Sequence, residues 1–327
     1  MRFTQGEKYE IIRIIESSEL GVSRTLQELG INKSTFYQWY TRYRQFGYDG
    51  LAPIRPERNI FWNQIPPRER QDVVEMALEY PDKSPRELAH FIVDHKGWYI
   101  SESSVYRILK AHGLVTSPTH ILIQAADEFT DKTTRPNQMW QTDFTYLKVM
   151  GWGWYYMTSL LDDYSRYIVD WERCDNMKAQ ETMNIVDRAL EITQLGKNQR
   201  PRLLSDNGSC YISKDLKEYL NEKDILHIRG KPNHPQTQGK IERYHRSMKN
   251  VIKLENYYSP DELRARLAEF IEHYNHHRYH ESLNNLTPAD VFFERERKIL
   301  EKRRKTKFET IKMRRNQYLN KKLNLTA

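Results

Sequence analysis

The apolar residues of the first fifty positions recur at the three- and four-residue spacing of an amphipathic helix. This spacing predicts helices over about residues 6–17, 23–29 and 34–46. Gly30 stands just past the second of these, where a glycine commonly ends a helix, and Asn32 and Ser34 offer caps for the third. Because a short helix, a glycine turn and a second helix are typical of a helix-turn-helix, residues 1–50 are predicted to form one.

The third predicted helix, with the residue before it, carries side chains that suit a DNA surface. It holds two arginines and no acid, together with hydroxyl and amide groups that can reach base edges and phosphates. The DNA-binding candidates are Lys33, Ser34, Thr35, Gln38, Arg42 and Arg44. The structural alternative is an ordinary three-helix bundle with Phe36, Trp39 and Tyr43 in its core. Both interpretations hold if one helix face packs while the other contacts DNA.

Prolines interrupt residues 51–66, which predicts a linker, and helical spacing then returns. It predicts helices over about residues 67–80, 84–95 and 101–112. Ser84 with Glu87 fits a capping box at the start of the middle helix. The DNA-binding candidates on the last helix are Arg107 and Lys110. Residues 67–115 are therefore predicted to be a second helix-turn-helix-like domain, with a connector over 116–136, and the tandem favours a long, bipartite DNA site.

Beyond the connector the period changes from that of helices to the alternation of strands. Strands are predicted over residues 139–149, 153–162, 167–172, 202–205 and 225–228. Helices are predicted over residues 178–194, 213–223, 238–254 and 260–273. This order predicts an α/β domain with a mixed five-stranded sheet over residues 137–293.

Charge is concentrated at one end of the chain. The 327 residues carry a formal net charge of +8, but thirteen Lys and Arg against three acids give residues 295–327 a charge of +10. Residues 294–327 are therefore a basic C-terminal tail, which can hold phosphate backbones or can be a solvated end without a partner. No apolar run approaches the roughly 18 residues that span a bilayer, so no membrane partner is expected. With only two cysteines, a reducing cytoplasm is the expected location, at the nucleoid if the chain binds DNA.

Three carboxylates are the candidate catalytic groups. Asp143 lies in the first predicted strand, Asp206 follows the fourth, and Glu242 lies in the first turns of a helix, with 35 residues between Asp206 and Glu242. Carboxylates suit Mg²⁺, which takes one or two of them together with substrate phosphates. Two such ions can hold the attacking and leaving oxygens of a displacement at phosphorus. Since grouped carboxylates raise one another's pKa, a cation would relieve their repulsion.

The predicted Glu242 helix supports the same interpretation. Its apolar residues follow a three-four-three spacing and predict a core-facing side: Ile241, Tyr244, Met248, Val251 and Ile252. Glu242 then shares the adjoining face with Arg246, Lys249 and Lys253, which suits a DNA backbone passing over a metal site. The alternative is a solvated pair between Glu242 and Arg246, which any helix can carry.

These residues and their neighbours resemble the DDE transposases of the bacterial insertion-sequence group related to retroviral integrases. The matching motifs are Trp140-x-x-Asp143-x-Thr145-Tyr146, Asp162-Asp163-Tyr164-Ser165-Arg166, Ser205-Asp206-Asn207-Gly208, Gly239-x-x-Glu242, Tyr274-Asn275-x-x-Arg278-x-His280-x-Ser282-Leu283 and Thr287-Pro288. The resemblance covers about residues 135–293, and the tandem helical units fit the family's N-terminal layout more loosely.

The resemblance implies an RNase H-like catalytic domain in which Asp143, Asp206 and Glu242 are both the catalytic residues and the ligands of two Mg²⁺ ions, replaceable by Mn²⁺. It implies that the N-terminal units bind the terminal inverted repeats of an element, and that the enzyme exposes a 3′-OH at each end and joins it to target DNA. Partners would be double-stranded DNA and further copies of the chain. Further DNA contacts are expected at Lys240, Arg278 and His280.

Other candidates favour structural roles. Asp162 and Asp163 are expected in a turn between strands, and Cys210 as a buried structural thiol. The histidines 273, 276, 277 and 280 resemble a metal cluster, but residues 1–134 lack the cysteines of an integrase zinc module, so no structural zinc is expected. Residues 229–238 are predicted to form a mobile loop that contacts DNA. Two other functions share parts of this pattern: a stand-alone RNase H-like nuclease and a catalytically silent DNA-binding repressor.

Overall fold

The computed structural model describes residues 3–18, 20–52, 61–115, 133–230 and 239–326. The chain divides into two compact units, Met1–Gln64 and Ile65–Ala327. The first unit holds helices α1 (Gln5–Ser17), α2 (Val22–Glu28) and α3 (Lys33–Phe46), close to the predicted bounds. Its apolar core includes Ile12, Leu26, Phe36 and Leu51. The side chain of Asn32 accepts a hydrogen bond from the backbone N–H of Ser34, so the predicted cap of α3 is present.

The second unit begins with another three-helix array. It consists of α4 (Pro67–Glu79), α5 (Pro85–Lys96) and α6 (Glu102–Ala111). Ser84 and Glu87 form the predicted capping box at the start of α5. The buried side chains that hold the array together include Val73, Leu88, Ile92, Val105 and Leu109.

A mixed five-stranded sheet follows. Its strands are β1 (Met139–Val149), β2 (Gly153–Asp162), β3 (Ile168–Cys174), β4 (Arg202–Ser205) and β5 (His227–Arg229). They lie in the order β3-β2-β1-β4-β5, with β3, β2 and β1 antiparallel and β1, β4 and β5 parallel. The mixed sheet is therefore confirmed, and β1, β2 and β4 have the predicted bounds.

Helices cover the sheet and extend beyond it. They are α7 (Ala179–Thr193), α8 (Ser209–Ile212), α9 (Lys214–Glu222), α10 (Gly239–Ile252), α11 (Pro260–His276), α12 (Pro288–Phe292) and α13 (Glu296–Thr326). One core packs α10 and α11 against Leu147, Met157 and Leu161 of the sheet. Another packs α7 and α9 against Trp140 and Leu160. Both faces of the sheet are thus buried, as in α/β folds.

The basic C-terminal segment, for which the sequence pattern predicts no helix, forms one long helix over Glu296–Thr326. Arg303 of α13 pairs with Asp94 of α5 through distances of 2.8 and 2.6 Å. The same guanidinium donates to the carbonyl of Asn285 at 2.9 Å. Helix α13 therefore links the second three-helix array to the sheet domain. None of the described helices is long and apolar enough to cross a membrane.

Candidate active site

Two of the predicted catalytic carboxylates lie on, or directly after, neighbouring parallel strands. In the register of β1 with β4, Trp140 faces Leu203 and Gln141 faces Leu204. Asp143 stands in β1 two residues beyond Gln141, and Asp206 stands two residues beyond Leu204, directly after β4 ends at Ser205. The strand β1 therefore supplies the first carboxylate of the candidate site, and the loop after the adjacent strand supplies the second.

The loop after β4 fixes the Asp206 side chain. The backbone N–H of Gly208 donates to Asp206 Oδ1 at 2.8 Å. A Cβ atom at position 208 would lie 3.0 Å from that oxygen, so the approach favours glycine. The Asn207 side chain donates to the Gly230 carbonyl at 2.7 Å and ties the loop to the end of β5.

Asp143 and Asp206 act electrostatically on the same two side chains. Burial, together with the charges of Asp206 and Asp143, raises the pKa of the Cys210 thiol to about 11. Burial also raises the pKa of Tyr211 well above its usual value, with contributions from both carboxylates. A thiol with such a raised pKa is a poor nucleophile, in agreement with the structural role expected for Cys210.

Helix α10 presents the third carboxylate, Glu242, on its exposed side. The helix is anchored by burial of its predicted apolar face, in which Ile241, Tyr244, Met248 and Ile252 are at most 1% exposed. Its first turn is also held by polar contacts: the backbone N–H of Ile241 donates to the Gln141 side chain at 3.2 Å. Since Gln141 lies two residues before Asp143, this bond ties the start of the Glu242 helix to the strand that carries Asp143.

A second polar contact holds the same turn. The Lys240 ammonium pairs with Asp163 Oδ2 at 2.7 Å and donates to the Asp163 carbonyl at 2.9 Å. Asp163 also accepts from the Gln141 side-chain amide at 2.7 Å. Lys240 is thus engaged within the protein, and the DNA contact expected for it stays a prediction. This bonding is consistent with the prediction that Asp163 belongs to a turn. Through Lys240, the same turn also holds the start of α10 in place.

His245 lies one helical turn after Glu242 and contacts Asp143. Its Nδ1 is 3.3 Å from Asp143 Oδ2, and the two side chains are 7% and 24% exposed. Its Nε2 is 3.1 Å from the hydroxyl oxygen of Ser159. No pattern in the sequence indicates that Gln141 or Asp163 holds the site together. The sequence does contain a sign of such a role for His245, because it is a polar residue beside the apolar face of an amphipathic helix.

The donor set suits a hard divalent cation. Asp143 in β1 and Asp206 directly after β4 provide carboxylate oxygens, and Mg²⁺ is commonly bound by one or two carboxylates together with substrate phosphates. Within the described residues, no group of three or more His, Cys, Asp or Glu side chains is arranged to hold a metal. The chemistry of these carboxylates therefore suits a divalent cation, and joint binding by Asp143, Asp206 and Glu242 stays a prediction.

The remaining DNA-binding candidates differ in how freely their side chains face solvent. Those with exposed side chains are Lys33, Ser34, Gln38, Arg44, Arg107, Lys110, Arg246 and Lys253, and those that are half-buried are Thr35, Lys249, Arg278 and His280. Lys249 lies over the Tyr146 ring, 4.7 Å from its centroid. Arg42 donates to the Ala52 carbonyl at 3.1 Å, so its side chain supports the first unit instead of facing outward.

His280 is a weaker phosphate candidate than the sequence indicates. Its ring packs on Tyr274, with centroids 5.0 Å apart. Burial, followed by the charge of Arg278, lowers the pKa of His280 to about 3, so the imidazole carries no positive charge at neutral pH. Most of the predicted mobile loop, residues 231–238, lies outside the described residues.

Comparisons with known proteins agree with this fold. Integrase core domain models match residues 133–235 and 223–288, and homeodomain-like domain models match residues 5–52 and 35–109. Residues 133–288 are therefore similar to integrase core domains, and the residues before them are similar to homeodomain-like domains. The resemblance to insertion-sequence transposases related to retroviral integrases is confirmed.

The similar proteins include mobile-element enzymes. The transposase for transposon Tn552 of Staphylococcus aureus is 24% identical over 299 residues, covering 81% of this chain and 60% of that protein. Transposase InsF for insertion sequence IS3A of Escherichia coli (strain K12) is 28% identical over 184 residues, covering 55% of this chain and 60% of that protein. The chain thus spans less than two thirds of either relative's length.

Among solved structures, the HTLV-2 integrase catalytic core domain in complex with magnesium (trimeric form) is 19% identical. The match covers 49% of this chain and 99% of that chain, with a TM-score of 0.40.

Proposed function

We propose that this chain is a DNA transposase that acts as a metal-dependent polynucleotidyl transferase. It binds the terminal inverted repeats of its element, cleaves the ends to expose 3′-OH groups and joins them to target DNA. The observation that carries this proposal is the placement of Asp143 on β1 and of Asp206 directly after the adjacent parallel strand β4, with the Glu242 helix tied to β1 through Gln141. The integrase core domain and the transposases among the chain's relatives support it.

In this proposal Asp143, Asp206 and Glu242 hold two Mg²⁺ ions, which Mn²⁺ can replace. Bound ions would supply charge for the attacking and leaving oxygens of a displacement at phosphorus. The protein's own part is to fix the carboxylates, through Gly208 at Asp206 and through Gln141 at the start of α10. Because the reaction needs only water or a DNA 3′-OH as nucleophile, no serine or tyrosine needs to attack DNA.

DNA would be held by exposed cations on several elements. The exposed residues Arg107 and Lys110 of α6 suit a recognition helix in the second array, while Arg246 and Lys253 flank the site on α10. The outer side of α13 adds further exposed cations, including Arg304 and Lys307. Since two element ends must be joined together, the active form is a multimer on DNA, in the cytoplasm at the nucleoid.

The test is a strand-cleavage assay on a labelled duplex that carries the terminus of the element flanking the gene, with Mg²⁺ or Mn²⁺. Wild type is expected to make a metal-dependent cut that exposes the 3′-OH, and Glu242→Gln to lose it. Glu222→Gln, which removes an exposed carboxylate on α9, is the control and should cut normally. Cutting that survives in Glu242→Gln would refute the assignment of Glu242. Binding of the terminus without any cutting would favour the repressor alternative.

A further inference from the structure

A buried polar group joins the Asp143 strand to the helix that carries Glu242. Asp143 and Ser159 are direct cross-strand partners of β1 and β2, and His245 of α10 approaches both of them. Ser159 is fully buried and His245 is 6% exposed. A side chain placed between two strand residues in this way fixes the rotation and the depth of the helix against the sheet.

The chemistry of the three groups permits one arrangement of donors and acceptors. An ionised carboxylate can only accept, so His245 can donate to Asp143 Oδ2, which is 3.3 Å away, when its Nδ1 carries a proton. Nε2 is then an acceptor for the Ser159 hydroxyl at 3.1 Å. Because the serine hydroxyl can donate as well as accept, it can pair with Nε2 in this tautomer.

The contact with His245 leaves part of the Asp143 carboxylate free to bind a cation. Among the described residues, the side-chain partner of the Asp143 carboxylate is on Oδ2, and the side chain remains about a quarter exposed, at 24%. Metal-binding carboxylates are generally hydrogen-bonded by surrounding groups that orient them. His245 has the position and the donor that this role needs.

We propose that His245 is a positioning residue that orients the Asp143 carboxylate for a divalent cation and couples it to the helix that carries Glu242. This inference rests on the proposed function, since it assumes that Asp143 binds a metal. It assigns to His245 no contact with DNA and no part in proton transfer.

The two nitrogens of His245 can be tested separately. His245→Asn keeps an amide donor near the Nδ1 position, whereas His245→Gln places its amide near Nε2 and loses the donor toward Asp143. His245→Ala loses both contacts, and Ser159→Ala removes only the contact between Ser159 and Nε2. His90→Gln is the control, because His90 is a half-buried histidine of α5 beside Tyr279.

The readout is the dissociation constant of Mn²⁺ alone, measured by calorimetry on the full chain, with a thermal melt of each variant. The Gln and Ala variants are expected to weaken Mn²⁺ binding about 10- to 100-fold, the usual effect of losing an orienting partner. His245→Asn should recover most of the affinity, Ser159→Ala should lose part of it, and His90→Gln should bind as wild type.

Equal affinities for His245→Gln, His245→Asn and wild type would overturn the proposal. So would losses that only follow the melting temperature, because a packing role predicts no difference between the two amides. If His245→Ala fails to fold, the Mn²⁺ affinities of His245→Asn, His245→Gln and Ser159→Ala still test the proposal. A wild type that binds Mn²⁺ but cuts no DNA would refute the proposed function while the order of affinities still tests His245. A wild type that binds neither Mn²⁺ nor Mg²⁺ would refute both.

Discussion

The side-chain oxygen of Gln141 accepts a hydrogen bond of 3.2 Å from the backbone N–H of Ile241. These residues are a hundred positions apart in sequence, and each lies next to or close to a predicted catalytic carboxylate. The bond occupies one of the N–H groups that the first turn of a helix leaves without an intrahelical partner. It therefore caps α10 and sets its position on β1 at the same time.

Replacement of Gln141 by Met should uncouple the two elements at nearly constant volume. It leaves the buried Asp163 carboxylate without its amide donor and the Ile241 N–H without its acceptor. Unsatisfied buried groups cost about 1–3 kcal/mol each, so urea unfolding should show a loss in this range or above. Gln180→Met, on the surface of α7, is the control and should change the unfolding free energy by less than about 0.5 kcal/mol. A Gln141→Met chain as stable as wild type would contradict the positioning role.

Arg303 and Asp94 should prove essential to the link between the second helical array and the sheet domain. Breaking a buried pair by removing one partner costs about 3–5 kcal/mol, because the remaining charge stays buried. In Arg303→Met, amide hydrogen exchange should therefore accelerate across α4–α6. Arg304→Met removes the adjacent, exposed arginine and should leave the exchange unchanged. Equal exchange in both variants would mean that α13 does not brace the array.

Stability should depend on pH through Asp162. Burial raises the pKa of this carboxyl to about 6, although hydrogen bonds from Ser165 and Asn137 oppose the shift. Because the folded-state pKa lies above the unfolded one, this contribution to stability is complete below about pH 4 and is lost as pH rises through 6. Asp162→Asn should abolish this dependence. The difference in unfolding free energy between wild type and variant should fall by about 2 kcal/mol from pH 4 to pH 7. A constant difference would contradict the raised pKa, and Asp215→Asn controls for the loss of one exposed carboxylate.

The cations of α10 should separate into DNA-binding and structural groups. Arg246→Gln and Lys253→Gln should each weaken DNA binding and reduce the slope of log affinity against log salt by about 1. Lys240→Gln should instead lower the unfolding free energy, because its ammonium is paired with Asp163. A Lys240→Gln chain that keeps its stability but loses salt dependence would restore the original prediction that this lysine contacts phosphate.

The sequence predicts the elements of the sheet domain well where burial follows a simple period. Strands β1 and β2 alternate or are continuously apolar between clear turns, and the buried face of α10 follows from its three-four spacing. Hydrophobic periodicity does not predict helix α13, because its buried face is formed partly by Arg303, Thr310 and Arg314. A hydrophobic pattern cannot reveal a helix whose buried residues are polar.

The carboxylates of the candidate site could be located from their spacing and motifs, but the groups that hold them could not. Gln141, Asp163 and His245 acquire their roles only when β1, the turn after β2 and α10 meet in three dimensions. The same limit applies to Lys240, whose ion pair with Asp163 joins residues 77 positions apart in sequence.

The most direct test of the account is strand joining with a pre-cleaved terminus, which supplies the 3′-OH and bypasses the first cut. Wild type, Asp143→Asn, Asp206→Asn and Glu242→Gln would be compared in Mn²⁺, with terminus binding measured in parallel. Wild type is expected to give joined products, and none of the three variants is expected to give any, although each should still bind the terminus. Joining that persists in any of these variants would contradict the claim that the three carboxylates form one catalytic site.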